Sequence, residues 1–374
     1  MCEKAEEGGV ILKVLSLFDG MSCGMLALKG LGVEVERYVA YEIDKYVIKT
    51  STHNFPNIEH KGDVFAADFS EYEGFDCLIG GSPCTYWSIA QKNNRETEAS
   101  GMGWELFSQY VRALKEAKPK YFLYENNKSM SKAIRESISE AFGFEPICIN
   151  SALLSAQNRQ RLYWVGKRNE DGTYSKAEIE QPEDRGILLK DILESGVVDR
   201  DKAHVLKHQA GNARDYFKKH HTQIKFEPVA INTTDDGKSQ TVKAQYVKTS
   251  VANICCYSST YGASGVAEPI GFAIPCEWNE NGKPIKAISY ADGKIYQVYE
   301  VKDGLGTIKG KEYPIKLADG FYIIRKLTVR ECMRLQTVPE WYECPVSDTQ
   351  AYKMLGNGFT VAVIEHLLKG MILC

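Results

Sequence analysis

The chain has 374 residues, a mass of 42.0 kDa, and 44% apolar, 25% charged and 11% aromatic residues. That is enough to bury a core without disulfides or metal, and it excludes collagen-like, low-complexity and disordered classes. With 46 Lys and Arg against 49 Asp and Glu the net charge is −3, which does not by itself advertise a polyanionic partner.

No apolar run reaches the roughly 18 residues that span a bilayer, and the first residues, MCEKAEEGG, are acidic; neither secretion nor membrane insertion is expected. The eleven cysteines (2, 23, 77, 84, 148, 255, 256, 276, 332, 344, 374) include no CxxC pair. They predict a reducing, cytoplasmic setting and no metal site.

Residues 10 to 165 read as strands alternating with helices. Strand-length apolar runs fall at 10–18, 37–43, 75–81, 120–126, 145–150 and 160–166, and GMLALKGLG and ELFSQYVRALKEA carry apolar residues at helical spacing. This order predicts an α/β fold built on a mostly parallel, doubly wound sheet with right-handed crossovers. From about Lys167 to 320, short alternations broken by Glu280-Asn281-Gly282, Asp292-Gly293, Asp303-Gly304 and Asp319-Gly320 predict a mostly β region. From Thr328 the pattern is helical again (VRECMRLQ, then TVAVIEHLLKGMIL). The expected domains are 10–167 with 325–374, and 168–324.

The first strand runs into Phe18-Asp19-Gly20-Met21-Ser22-Cys23-Gly24 and then a helix. In a doubly wound sheet, ligands sit at the carboxyl ends of the strands, where a glycine turn lets backbone amides approach them. The second strand ends in Tyr41-Glu42-Ile43-Asp44, and Gly62-Asp63-Val64 follows the third. Such features are commonly structural or merely solvated when met singly. In this order they favour an adenosine-containing ligand, with Glu42 on a ribose and Asp63 at an adenine. The turn is not GxGxxG, which argues against a dinucleotide oxidoreductase.

Gly80-Gly81-Ser82-Pro83-Cys84 closes the fourth strand and puts a cysteine on a rigid turn at the crevice. A nucleophilic thiol there needs amides or cations nearby; Cys77, inside the apolar run, suits a buried inert role. Tyr124-Glu125-Asn126-Asn127 brings a carboxyl to the same edge, where it could serve as a proton donor if its pKa is raised. In Gln157-Asn158-Arg159-Gln160-Arg161, period 2 predicts Gln157, Arg159 and Arg161 on one face, either as substrate cations or as a salt-bridge pair. Between Asp201 and Phe226, six Lys and Arg face two Asp beside His204, His208, His220 and His221. That segment is either a solvated face or a phosphate-contacting one.

Taken in order, FDGMSCG, YEID, GDV, GGSPC, YENN, QNRQR, RKLTVRECMRLQTVP (325–339) and LGNGFTVAVI (355–364) resemble the cytosine carbon-5 DNA methyltransferase family. They cover nearly the whole chain outside about 170–320. The resemblance implies a Rossmann-like S-adenosylmethionine-dependent fold with a smaller, mostly β target-recognition domain. It implies Cys84 as nucleophile, Glu125 on ring nitrogen 3 and the amino group, Arg161 on the carbonyl, and Arg159 steadying the loop or the surroundings of Cys84. Phe18, Asp19, Gly20, Gly24, Glu42, Ile43, Asp63, Val64, Pro83 and Asn357 would hold S-adenosyl-L-methionine. Ser88, Gln157, Lys218 and Lys219 would meet double-stranded DNA, and Arg330 and Glu331 would buttress the recognition domain. A cognate restriction endonuclease is an expected genetic partner. Ser88 to Gly103 is expected to be a mobile loop closing over DNA.

Thr85 after the nucleophile, Asn127 after Glu125-Asn126, and Phe359-Thr360 after Gly358 depart from the family's usual wording without removing a reacting group. Competing readings are a tRNA cytosine methyltransferase, a catalytically silent DNA-binding relative, and a small-molecule oxidoreductase.

Overall fold

The computed structural model describes residues 10–88, 95–194, 201–203 and 318–373, with the shorter stretches 229–230, 265–270, 274–275, 298–308 and 311–314 between them. Two compact units are present: residues 1–187 with 333–374, and residues 188–332.

In the first unit, β1 (Ile11–Leu17) leads through the glycine turn into α1 (Cys23–Gly30), followed by β2 (Glu34–Tyr41), α2 (Lys45–Asn54) and the short β3 (Glu59–His60). Then come β4 (Cys77–Gly80), α3 (Gly101–Ala117), β5 (Tyr121–Asn127), α4 (Lys132–Phe142), β6 (Ile147–Asn150), β7 (Gln160–Arg168) and β8 (Tyr174–Lys176). The strand order is β3-β2-β1-β4-β5-β7-β6, with β8 on β7. Strands β1 to β5 pair in parallel. Strand β7 is antiparallel to β5, β6 and β8, because the link from β6 to β7 is too short for the crossover that parallel pairing needs. The order reverses between β1 and β4, and such a switch point opens a crevice beyond the strands' carboxyl ends.

Residues 168–187 stay with this unit because β8 continues the sheet from β7. The boundary therefore lies at 187/188, some way past the change in sequence pattern at Lys167.

In the second unit, β9 (Val229–Ala230), β10 (Gly265–Ile270), β11 (Ile274–Pro275), β12 (Val298–Lys302), β13 (Leu305–Ile308), β14 (Lys311–Pro314) and β15 (Gly320–Lys326) make one sheet, its main path running β10-β15-β12-β13-β14. The pairings are antiparallel. Glu331 is fully buried there; its carboxylate accepts from the amides of Glu194 (2.8 Å) and Thr328 (2.7 Å). The chain ends in α5 (Val329–Leu335), α6 (Asp348–Asn357) and α7 (Val361–Ile372).

An aromatic cluster of Phe107, Tyr110, Phe122, Tyr124, Phe142 and Trp164 packs α3 and α4 on the sheet; all six are 5% exposed or less. Each such ring pair adds about 0.5–1.5 kcal/mol beyond its buried area. Tyr110 also donates to the carbonyls of Leu123 (2.9 Å) and Leu78 (3.2 Å), tying α3 to β5 and β4. The same two strands deliver Cys84 and Glu125, so this core sets the site's spacing.

Among the described residues, no helix is long and apolar enough to cross a membrane. Cys23, Cys77, Cys84, Cys148, Cys332 and Cys344 are free thiols.

The closest backbone approach in this core is at Gly166, where a Cβ would sit 2.2 Å from the Phe122 ring. Phe142 and Tyr174 hold that ring with centroids 4.9 and 5.2 Å away. Gly166→Ala is therefore expected to destabilise the protein by about 1–3 kcal/mol through overpacking, read as a lower denaturant midpoint.

Candidate active site

Every strand end named from the sequence opens on one edge of the first unit's sheet. The turn after β1 is conformationally demanding: Phe18 (φ 57°), Gly20 (φ 60°) and Ser22 (φ 59°) all adopt the left-handed region. Non-glycine residues pay for that conformation only where the surroundings enforce it.

The enforcement comes from below. Asp19 is buried and accepts from Ser16 Oγ (2.6 Å), Ser22 Oγ (2.5 Å) and Tyr38 Oη (2.8 Å), while Ser51 Oγ lies 2.5 Å from Ser22 Oγ. Burial pushes the Asp19 carboxyl up, and the three hydroxyls pull it back. From β2, Glu42 accepts from the amides of Gly20 (3.0 Å), Ile43 (2.8 Å) and Asp44 (2.9 Å), and burial pushes it up as well. Both carboxylates thus shape the turn.

Cys84 opens a single 3₁₀ turn, Cys84–Tyr86, with the amides of Trp87 (3.2 Å) and Ser88 (3.0 Å) donating to its carbonyl. The turn is tied to β5 by Asn126, whose Nδ2 donates to the Ser82 carbonyl (3.1 Å), and by Ser82 Oγ, 2.6 Å from Tyr124 Oη.

Facing it, Glu125 Oε1 and Arg161 Nε form a buried ion pair at 2.9 Å. The register places Glu125 opposite Tyr163 and Asn127 opposite Arg161, so these side chains share one face of the β5–β7 pair. Burial pushes Glu125 above the usual carboxylate range against the pull of Arg161 and Arg159. Burial also raises the Cys84 thiol; Arg161 and Arg159 act to lower it, and Glu125 adds to the rise. The thiol, carboxyl and two guanidinium groups are therefore one electrostatic cluster.

Arg159 is almost fully buried and has a distinct job. Its Nη1 and Nη2 donate to the Gly356 carbonyl (3.1 and 3.2 Å), and Nη2 also reaches the Gly358 carbonyl (2.9 Å). Burial and Arg161 bring its pKa down to about 10. The same C-terminal loop is gripped by Gln336, which donates to Leu355 O (2.6 Å) and accepts from Thr360 Oγ1 (2.9 Å). This leaves Asn357 exposed at the tip.

Residues 12–373 match the C-5 cytosine-specific DNA methylase family. The chain belongs to that family. It is a DNA cytosine-C5 methyltransferase. It is 28% identical to the orphan methyltransferase M.SPRI of Bacillus phage SPR, across 96% of this chain and 97% of that one. It is equally identical to the Type II methyltransferase M1.ScrFI of Lactococcus lactis subsp. cremoris, across 96% and 78%. Its fold is that of a Spodoptera frugiperda DNMT2 mutant (TM-score 0.56, 15% identity, 96% of this chain and 99% of that one). It is also that of a prophage-encoded putative DNA modification methyltransferase from E. coli (0.52, 19%, 96% and 98%).

Four of the residues expected at the donor or at DNA have side-chain positions or partners within the fold itself. Asp19 has three hydroxyl partners and acts as an internal strut. Gly24 faces inward, since a Cβ there would lie 2.9 Å from Tyr38 Oη. Val64 belongs to the hydrophobic core. Gln157, expected at DNA, is fully buried, with Nε2 on the Leu335 carbonyl (3.3 Å). Of the expected loop, 101–103 begin α3, and Arg95 and Glu96 are hydrogen-bonded to Trp87. Ser88 is half-buried beside the Cys84 turn. Lys218, Lys219, the four histidines from 204 to 221 and residues 89–94 lie outside the described residues.

Phe65 was not singled out from the sequence. It is 44% exposed on the carboxyl edge next to Asp63, and Ile43 is 75% exposed beside Glu42. Its signal was present, an aromatic residue directly after Gly62-Asp63-Val64, but sequence does not tell which of two adjacent apolar residues faces inward. Among the described residues no group of three or more His, Cys, Asp or Glu is placed to hold a metal.

Tyr38→Phe removes one donor to a buried carboxylate, and a loss of about 1.5–3 kcal/mol in unfolding free energy is expected, measured by chemical denaturation.

Proposed function

We propose that this methyltransferase flips a target cytosine out of duplex DNA, adds Cys84 Sγ to carbon 6, and methylates carbon 5 from S-adenosyl-L-methionine within a specific sequence. The observation that carries the reading is the convergence of Cys84 with the buried Glu125–Arg161 pair and Arg159 on one strand edge.

The residues at the first turn fit such a donor. Exposed apolar Ile43 and Phe65 flank the acidic Glu42 and Asp63, as an adenosine's flat base and ribose hydroxyls require. Phe18 and the Gly20 backbone border the turn, with Pro83 and Asn357 exposed at the neighbouring loops. When bound, the donor supplies an electrophilic methyl group on a sulfonium.

Carbon 5 of cytosine is a poor nucleophile until carbon 6 is saturated. The Cys84 thiolate forms the S–C6 bond, and the C5–C6 π electrons move onto carbon 5 and toward ring nitrogen 3 and the carbonyl. Glu125, with its pKa raised, holds nitrogen 3 and the amino group and supplies a proton as charge develops. Arg161, already fixed on Glu125, contacts the carbonyl. Carbon 5 then takes the methyl group and loses its proton to a base; the C5–C6 double bond re-forms, the S–C6 electrons return to Cys84, and the proton held at nitrogen 3 goes back to Glu125. Extruding the base requires a few kcal/mol of unstacking, which DNA contacts must offset. The second unit, with the 201–226 basic segment, would provide sequence readout.

Cys84→Ser should abolish methyl incorporation while leaving donor binding near wild type, measured by isothermal titration alongside tritium transfer to duplex DNA. Wild-type turnover in that variant would sink the assignment. Bisulfite sequencing of DNA from expressing cells should show modified cytosines in one fixed context.

Because burial raises the thiol, adduct formation with 5-fluorocytosine DNA should speed up as pH rises from neutral toward the thiol's own range. A flat single-turnover profile would show that thiolate formation does not govern the step.

A further inference from the structure

The segment after the nucleophile is fastened in a way that the reaction scheme does not use. Trp87, three residues beyond Cys84, is fully buried, and its Nε1 donates to Glu96 Oε2 at 3.0 Å. The Glu96 amide donates back to the Tyr86 carbonyl at 2.9 Å. Both Glu96 oxygens lie 3.2 Å from the Gly103 amide in the first turn of α3. Unpaired amides and the helix dipole favour a carboxylate there.

The neighbouring residue completes the fastening. Arg95 Nε donates to the Trp87 carbonyl (3.1 Å), and its Nη2 donates to the Ser129 carbonyl (2.7 Å) just past β5. Ser129 Oγ in turn donates to Asn127 Oδ1 (2.7 Å), two residues from Glu125. Two glycines make room for the carboxylate: a Cβ on Gly101 or Gly103 would lie 2.5 Å from a Glu96 oxygen. One carboxylate and one guanidinium thus join the Cys84 turn, the start of α3 and the exit of β5.

We propose that Glu96, acting through Trp87 and supported by Arg95, is the positioning residue that sets the attack geometry of Cys84. This rests on Cys84 being the nucleophile. The 3₁₀ turn at 84–86 is only three residues long and its two internal amide bonds run to the Cys84 carbonyl, so its orientation depends on what holds its far end. Trp87 and Tyr86 are that far end, and Glu96 grips both. Releasing the grip would leave the thiol's chemistry intact and scatter its direction.

The test uses the full chain as wild type, Glu96→Ala, Glu96→Gln and Trp87→Phe. The measurements are the rate of covalent complex formation with a 5-fluorocytosine duplex in the presence of S-adenosylmethionine, kcat, the donor KM, and the thermal unfolding midpoint. Glu96→Ala should lower the adduct rate and kcat together by about 10- to 100-fold, as a misplaced reacting group does, with the donor KM unchanged. Trp87→Phe keeps an aromatic ring in the buried position while removing the Nε1 donor and should move the same way. Glu96→Gln retains an oxygen for Trp87 Nε1 and should recover part of the rate.

Wild-type adduct rates in Trp87→Phe and Glu96→Gln, both conservative enough to be compared by midpoint, would overturn the proposal, even if Glu96→Ala failed to fold. So would a loss in Glu96→Ala confined to the donor KM. Absence of any adduct at Cys84 in the wild type would instead overturn the nucleophile assignment, and the positioning role with it.

Discussion

A carboxylate and a guanidinium held 2.9 Å apart, each side chain exposing little more than a tenth of its surface, set the character of this site. Burying either charge alone would be strongly unfavourable, and removing one partner of such a pair typically destabilises by about 3–5 kcal/mol. The fold therefore keeps Glu125 and Arg161 together on adjacent antiparallel strands, where register does the aligning. The direction of β7 matters for this reason. The antiparallel register puts Arg161 opposite Asn127, diagonal to Glu125 on the same face.

That pair raises the demands on its surroundings. Arg159 brings a second positive charge into the same cluster, and its hydrogen bonds go to the backbone carbonyls of Gly356 and Gly358. Gln336 holds the same loop by donating to the Leu355 (2.6 Å) and Gly358 (3.4 Å) carbonyls, and it accepts from Thr360 Oγ1, which also lies 2.9 Å from Ser151 Oγ. A C-terminal loop far away in sequence is thereby made part of the same edge as Glu125 and Cys84. The turn after β1 follows the same logic. Its left-handed residues persist because buried Asp19 and half-buried Glu42, both with raised pKa, accept hydrogen bonds from its hydroxyls and amides.

The departures from the family's wording are absorbed locally. Asn127 is buried with Nδ2 on Asn126 Oδ1 (3.1 Å) and its own Oδ1 receiving Ser129. Thr360 supplies a hydroxyl to the Gln336 clamp. Phe359 brings its ring edge within 3.3 Å of where a Gly81 side chain would begin. Gly81 must be glycine here because Glu125 O and Oε2 crowd the same point.

Local sequence was sufficient for the strand ends on which the proposed reacting groups lie. Cys84 after Gly-Gly-Ser-Pro, Glu125 closing β5 and Arg161 opening β7 are chemically distinctive residues beside strong strand signals, and apolar alternation alone marks those strands. It was insufficient wherever one residue has two possible faces or a distant partner. Val64 turns inward and Phe65 outward because only the packed core chooses between adjacent apolar side chains. Asp19 takes one of its three hydroxyl partners from Tyr38, 19 positions away, and Gln157 reaches Leu335, 178 positions away. No local pattern encodes those partners, and only the folded chain decides that such groups brace the site from within.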